Sequence, residues 1–385
     1  MNINSIYTKN FKGRSIGLEY EFPIVKKDLT APTYDEMKRI FDFLNGKKIY
    51  DGNNIVGVEN HGIVTTDYGV CTLEVNFPPA KDLFEAKDIY DKIMEEVLYA
   101  VKSAGLKLMF YGIQPISRPD KRLIAPKKRY TTLTKRFGMP NVLYHTVNAS
   151  AQVHIGLHKH EMVDAVNELN KVSPVLIDMN ANSRVWWCNI NEPRELFWDW
   201  VVNIPQDKGR KGIPLKFESL DDYLNKIFEF EPIMTKRGNT YGEFHGLSSF
   251  NEFLQNGGKI YDPESNELIK EIKPEEIDIY AHDSFIWWDA RLKSAYGTIE
   301  LRCCSQQTKE RQMVVPALAL GLIENLDELK KLEIKNPQQA RIDACIYGGL
   351  DMYWQKVVDI ASEGLVLRGK GEEDLISVNP WRKNK

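Results

Sequence analysis

The sequence predicts an α+β fold: a large, curved, mainly antiparallel sheet with one open face and helices packed on the other. Four separated stretches alternate apolar and polar residues with the period of a strand, so each buries one face and leaves the other polar. Each polar face carries a carboxylate or an imidazole at mid-strand. Long helical patterns over 81–104, 314–332 and 339–362 supply the layer that covers the apolar side.

The first stretch is Gly17-Leu18-Glu19-Tyr20-Glu21-Phe22, within a strand over 14–25. Ile16, Leu18, Tyr20 and Phe22 share one face, while Glu19 and Glu21 stand together on the other, about 6.6 Å apart along the strand. Carboxylates that close can share a divalent cation, although a Glu-x-Glu pair is also an ordinary solvated face. A helical spacing follows over 34–44 with Gly46 as its stop, then a hairpin of 55–58 and 63–66 around Asn60-His61-Gly62. In the second stretch Cys71, Leu73, Val75 and Phe77 alternate with Thr72, Glu74 and Asn76. Pro78-Pro79 ends it, because proline donates no ladder hydrogen bond. An amphipathic helix over 81–104 closes at Gly105, and 106–113 reads as a more buried strand.

Residues 117–141 are basic and irregular, with Lys121-Arg122, Lys127-Lys128-Arg129 and Lys135-Arg136. Such a run is either solvated surface or a loop over a phosphate or carboxylate that arginine grips in bidentate fashion; 121–136 is also the candidate lid. In the third stretch Ala149, Ala151, Val153 and Ile155 pack one way, and Asn148, Ser150, Gln152 and His154 point the other. His158 and His160 lie beyond it, before a 161–172 helix, with no thiolate to complete a zinc site. An apolar helix begins at 174, and the aromatic run through Trp186, Trp187 and Trp200 reads as core, with Arg184 and Arg194 undecided. Lys208 to Gly212 reads as an exposed loop, 220–230 as a helix, 250–254 as a short element and 264–276 as an acidic surface excursion. The fourth stretch sets Ile299, Leu301 and Cys303 inward and Thr298, Glu300, Arg302 and Cys304 outward. The tail from Gly369 is charged and loose. With no repeat or low-complexity linker, residues 1–385 are expected as one catalytic domain with insertions at about 117–141 and 205–275 and a helical C-terminal region over 313–365.

Composition excludes several function classes. Across 385 residues, 43% are hydrophobic and 27% charged, as in ordinary globular proteins. A net charge of −3 gives no reason to expect a nucleic acid or an anionic membrane as partner. The polar start lacks the apolar core of a signal peptide, and no apolar run approaches a spanning helix. Five cysteines without C-x-x-C spacing fit a reducing cytoplasm, and Cys303-Cys304 is expected to be a pair of packed, inert thiols.

Carboxylates with a single imidazole suit Mg²⁺ or Mn²⁺ better than zinc. Hard cations on an acidic face with arginines nearby point to a polyphosphate substrate such as ATP. No P-loop is present: Gly364 to Lys370 is followed by Gly371, not Ser or Thr. G-x-G-x-x-G, G-x-S-x-G and H-E-x-x-H are also missing.

The ordered set GLEYEF, TLEVNFPP, KKRYTTL, NASAQVHIG, ANSRVWW and HDSFIWWDARLKSAYGTIELR resembles the glutamate–cysteine ligase type 2 group, over roughly residues 14–365. Its most specific pieces are Gln152-Val153-His154, and His282 followed by Arg291 and Glu300-Leu301-Arg302. The resemblance implies a glutamine synthetase-like catalytic domain, an architecture shared in outline with guanidino kinases. It implies that Glu19, Glu21, Glu74, His154 and Glu300 hold the Mg²⁺ (or Mn²⁺) ions that bridge ATP phosphates. Arg302 and Arg291 would act on the acyl phosphate or the substrate carboxylate, with Arg129, Gln152 and Arg184 on the nucleotide or amino acid. The activity implied is ATP-dependent carboxylate–amine ligation, joining an amino acid carboxylate such as that of glutamate to an amine such as cysteine. The alternatives are a phosphotransferase of guanidino-kinase type and a non-catalytic nucleotide-binding protein. The chain departs from the family at Thr66-Asp67-Tyr68-Gly69, where Glu-Pro-Gly-Gly is common, at Arg184, where many members have Pro, and at Cys303-Cys304-Ser305, where Asp is common. These changes bear on the amine substrate, and Asp67 becomes a possible extra ligand. Neither the oligomeric state nor the amine is legible in the sequence.

Overall fold

The computed structural model describes residues 2–185, 189–201 and 204–376. Among the described residues, fifteen strands follow in chain order. Those before residue 160 are β1 (Ile16–Val25), β2 (Lys47–Asp51), β3 (Asn54–Glu59), β4 (Ile63–Thr66), β5 (Thr72–Asn76), β6 (Lys107–Leu108) and β7 (Ala151–Gly156). Then come β8 (Lys211–Gly212), β9 (Met234–Arg237), β10 (Thr240–Phe244), β11 (Gly258–Tyr261), β12 (Leu268–Ile272), β13 (Trp287–Trp288), β14 (Ala290–Lys293) and β15 (Thr298–Leu301). The main sheet runs β14-β15-β7-β1-β5-β4-β3-β2, with β6 on the far end of β1, and every pairing in it is antiparallel.

One face of that sheet is the core. Ile16, Leu18, Tyr20, Phe22, Leu73, Val75, Val153, Ile155, Ile299 and Leu301 are buried there, as the alternation dictates. The helices Leu83–Ser103, Met162–Met179 and Val314–Glu324 cover it, and Asp351–Arg368 packs behind the last of these. That contact is close: a Cβ on Gly364 would lie 2.0 Å from Gly321 O, so the two backbones approach only because both residues are glycine.

Several elements differ from the sequence expectation for identifiable reasons. The helix starting at Met162 runs through Pro174 to Met179 instead of restarting there. Pro174 has no N–H for Asn170 O, and the Ser173 hydroxyl donates to that carbonyl instead, at 3.0 Å. Over 106–113 only Lys107–Leu108 pairs as strand. The basic run contains a helix, Lys128–Phe137, whose Tyr130, Leu133 and Phe137 are buried. The 205–275 region forms its own antiparallel sheet, β12-β11-β10-β9; most of β12 is exposed on both faces, so no alternation announces it. The expected exposed loop at 208–212 is interior: Arg210 is fully buried against Asp207 and Phe230, and β8 pairs in parallel with β13. The two C-terminal patterns each split, at Asn325 and at Gly348-Gly349, whose positive φ angles of 72° and 91° end a right-handed helix. Cys304 lies in the core, not on the open face, because β15 stops at Leu301. Within the described part of the tail, buried Glu372 accepts from Leu83 N–H at 2.8 Å and pairs with Arg368. Trp186, Trp187 and residues 377–385 lie outside the described residues, as does the Trp200 side chain. Among the described residues, no helix is long and apolar enough to cross a membrane.

Candidate active site

Paired residues in an antiparallel ladder present their side chains to the same face. Register therefore builds the site. Glu21 stands opposite Glu74 across β1 and β5, and Glu19 opposite Gln152 across β1 and β7. His154 stands opposite Glu300 across β7 and β15, and Glu300 opposite Arg291 across β15 and β14. All of them, with Arg302 and Arg129, line one cavity of about 480 Å³ over the open face.

Glu19, Glu21 and Glu74 each offer a carboxylate oxygen within 4.8 Å of the other two. Their partners fix them without neutralising them. Glu21 accepts from Ser150 N–H at 2.7 Å and from Gln152 Nε2 at 2.8 Å, and Glu74 accepts from Asn76 Nδ2 at 2.6 Å. Burial, then the charge of Asp67, pushes Glu21 up to about 8, with Glu19 adding to it. Burial and the neighbouring Glu19 and Asp67 hold Glu74 well above the usual carboxylate range. His154 Nε2 lies 3.8 Å from Glu19 Oε2, and its Nδ1 faces Thr298 Oγ1 at 3.1 Å.

Glu300 is set apart from this trio. Arg291 Nε donates to its Oε2 at 2.7 Å, Arg291 Nη2 to its Oε1 at 3.2 Å, and Arg302 Nη1 also reaches Oε1. Burial works against its charge, but the two guanidinium groups outweigh it and hold Glu300 well below the ordinary range. Arg302 Nη1 also donates to Gln152 Oε1 at 2.6 Å, so Gln152 links the trio to the arginine pair.

Arg129 enters the cavity from the helix Lys128–Phe137, its guanidinium 4.6 Å above the Phe285 ring. Arg184 does not join the others. It bonds Asn191 Oδ1 at 2.9 Å and lines a separate cavity of about 410 Å³ with Asp178, Arg311 and Trp354. His282 is structural: it is buried, stacks 4.1 Å from Phe250 and faces Ile227 O at 2.7 Å. Several lining residues were not singled out from the sequence, among them Lys127, Tyr130, His145, Lys211, Lys293 and Tyr296. Lys127 belongs to the basic run and was legible as a charge. His145 sits in a short 3-10 turn, Leu143–Val147, where periodicity gives no signal.

This fold is also found in solved structures at low identity. The glutamate–cysteine ligase of Francisella tularensis in complex with AMP superposes with a TM-score of 0.52 at 11% identity, covering 96% of this chain and 82% of that one. A bifunctional glutathione synthetase from Pasteurella multocida gives 0.51 at 12% identity, over 97% of this chain and 48% of that one. The molecule is thus of the glutamate–cysteine ligase fold class, with its acidic residues on the open face of the sheet. More narrowly, the chain belongs to glutamate-cysteine ligase family 2, whose sequence profile matches residues 15–345. A Rubrobacter xylanophilus protein provisionally named glutamate–cysteine ligase 2-3 is 23% identical over 303 residues, 76% of this chain but 64% of that protein.

Proposed function

We propose that the protein is an ATP-dependent carboxylate–amine ligase that forms an amide, most simply a γ-glutamyl one, through an acyl phosphate. The observation that carries this reading is the convergence of Glu19, Glu21 and Glu74 within 4.8 Å, in the same cavity as Arg291 and Arg302. Three carboxylates converge there, and burial with neighbouring carboxylates raises the proton affinity of two of them, Glu21 and Glu74. Oxygen donors with one imidazole and no thiolate fit Mg²⁺ or Mn²⁺. Glu19, Glu21 and Glu74 would hold the ions, with His154 beside them; Glu300, also expected as a ligand, pairs with Arg291 and Arg302 and would position them. The bound cation would offset charge on the ATP phosphates.

The chain's own groups then do the rest. Arg302 and Arg291 face the γ-phosphoryl group as a substrate carboxylate oxygen attacks phosphorus and ADP departs. Gln152 holds Arg302 at a fixed angle, and Arg129 contributes a further charge on the nucleotide or amino acid side. An amine attacks the acyl carbon, and phosphate leaves with the electron pair of the broken C–O bond. The glutamine synthetase-like reading of the sheet and the treatment of residues 1–385 as one catalytic unit belong to the same proposal.

The test is ADP release with Mg²⁺ and glutamate against a panel of amines, including cysteine, with mass analysis of products. A new amide supports the ligase. A stable phosphorylated acceptor would make the protein a phosphotransferase, and nucleotide binding without turnover would make it non-catalytic.

A further inference from the structure

Among the titratable groups that line the cavity and that the scheme above leaves unused is a histidine. His145 lies in the 3-10 turn Leu143–Val147 and is 5% exposed. Its ring sits 3.7 Å from that of Trp198 and 5.5 Å from that of Tyr68, centroid to centroid. Both of those residues line the cavity with it. Its Nδ1 is buried with no hydrogen-bond partner among the described residues. A buried imidazole nitrogen without a partner is uncommon, because the desolvation it suffers is normally offset by a hydrogen bond.

The backbone beneath it is fixed. Cys71 Sγ donates to Thr146 O at 3.1 Å, and Gln114 N–H donates to Val147 O at 2.8 Å. A Cβ on Gly69 would lie 2.1 Å from Thr146 O, so this turn seats only against glycine.

We propose that His145 is a catalytic residue of the second half-reaction, taking a proton from the acceptor ammonium so that the free amine can attack. This rests on the ligase reading. An amino acid or other alkylamine arrives as R–NH₃⁺, which has no lone pair. Transfer of one proton to a neutral imidazole nitrogen gives R–NH₂ and imidazolium. The amine lone pair forms the C–N bond, the acyl C–O bond breaks toward phosphate, and the second nitrogen proton leaves with the phosphate. The imidazolium then returns its proton to solvent.

Burial, then the charges of Lys211, Arg302 and Arg194, pushes the imidazole down to about 3 and keeps it neutral, so it becomes an effective base only if substrate charge offsets those cations. Those same cations line the cavity, Lys211 and Arg194 paired with Glu195 and Arg302 with Glu300, and the charge of an acyl phosphate bound among them would compete for them. Offsetting them raises the imidazole's proton affinity only when the electrophile is present, which orders the two half-reactions. Trp198 and Tyr68 give the acceptor an aromatic wall and keep water from the acyl phosphate.

The test separates the half-reactions in His145→Gln. Glutamate-dependent scrambling of oxygen label between the βγ-bridge and non-bridge positions of ATP, without amine, reads acyl-phosphate formation alone. Hydroxylamine, largely unprotonated at neutral pH, reads acyl transfer without a base. The expected result is scrambling and hydroxamate formation within about threefold of the unaltered protein, with amide formation from an alkylamine down at least about a hundredfold. Equal losses with hydroxylamine and alkylamine, or loss of scrambling, would overturn the proposal. If His145→Gln does not fold, His145→Phe keeps the ring between Tyr68 and Trp198 without a nitrogen, and the same criteria apply. Absence of scrambling in the unaltered protein would instead sink the ligase reading, and this inference with it.

Discussion

The two ends of the open face carry the same residue type in opposite electrical states. Around β1 and β5, Glu21 and Glu74 lie among carboxylates, and burial with mutual repulsion raises both, Glu21 to about 8. Around β14 and β15, Glu300 lies between Arg291 and Arg302 and is held well below the ordinary range. Burial opposes charge at both ends, so the partner decides the outcome. At the acidic end Lys127 and Arg194 offset the carboxylates only in part. The other end carries fixed cations in excess of its one carboxylate, since Lys293 lies there too, pushed down to about 8 by burial and by Arg291. A face polarised in this way fits a metal–nucleotide at one end and a phosphorylated intermediate at the other.

The sharpest way to break this contrast is Glu74→Gln. It removes one of three converging carboxylates while keeping shape and the contact with Asn76. ADP release should fall by about 10²–10³-fold, the scale of losing one preorganised electrostatic group. Saturating Mg²⁺ should raise the melting temperature of the unaltered protein, through binding to the native state alone, and should fail to raise that of the variant. Equal stabilisation by Mg²⁺ in both would remove the acidic end from metal binding.

At the opposite end, Arg302→Lys tests geometry at constant charge. Arg302 Nη1 alone bonds both Gln152 Oε1 and Glu300, so a lysine could keep those contacts but would lose the guanidinium's remaining donors, which the proposal aims at the phosphoryl group. Turnover should drop by about 10²-fold, with the KM for ATP much less affected and Mg²⁺ stabilisation retained. Near-normal turnover would move Arg302 out of the reaction.

Glu192 is a control between the extremes: a buried glutamate away from the cavity, held by hydroxyls. It accepts from Ser183 Oγ and Ser305 Oγ at 2.5 Å each and from Asn182 N–H at 3.0 Å. Burial, opposed in part by Arg194, pushes it up to about 7. Because the native value lies above the unfolded one, the native state holds the extra proton between about pH 4.5 and 7. Its contribution therefore declines as pH rises through that window, by a total on the order of 3 kcal/mol. In Glu192→Gln the serine hydroxyls can rotate to accept from the amide. Denaturant unfolding should show the variant more stable at pH 8, little changed at pH 4.5 and independent of added Mg²⁺. A variant less stable at pH 8 would mean that the carboxylate is held charged.

What the sequence could reveal follows from which signals are local. Period-two alternation placed Glu19, Glu21, Glu74, His154 and Glu300 on one face, because a strand's side-chain direction is set residue by residue. It could not show that Glu300 would be enclosed by Arg291 and Arg302, since that depends on β14 pairing with β15 in one register. The β9–β12 sheet was invisible because its strands bury little, and the helix Lys128–Phe137 was masked by the lysines and arginines around its apolar stripe. His145 and Lys211 sit in a turn and a two-residue strand, too short for any period. Those are the segments that close over the sheet, and tertiary packing alone specifies them.

Arg184 tests the boundary of the comparison, and its expected effect is the smallest. The family resemblance suggested a contact with nucleotide or substrate, which would make it a third cation serving the polarised face. Its guanidinium instead bonds Asn191 Oδ1 at 2.9 Å in the other cavity, and its residue is exposed. Removing this part-buried hydrogen bond costs on the order of 1 kcal/mol, and Arg184 does not line the cavity over the open face. Arg184→Ala should therefore leave kcat and the KM for ATP and for the carboxylate within about twofold, with a melting temperature barely changed. A tenfold rise in the KM for ATP would mean that the outer cavity is coupled to the helix Pro193–Val201, which delivers Arg194 and Glu195 to the main cavity. The charges that matter would then reach beyond the sheet, and the two-ended description would need a third member.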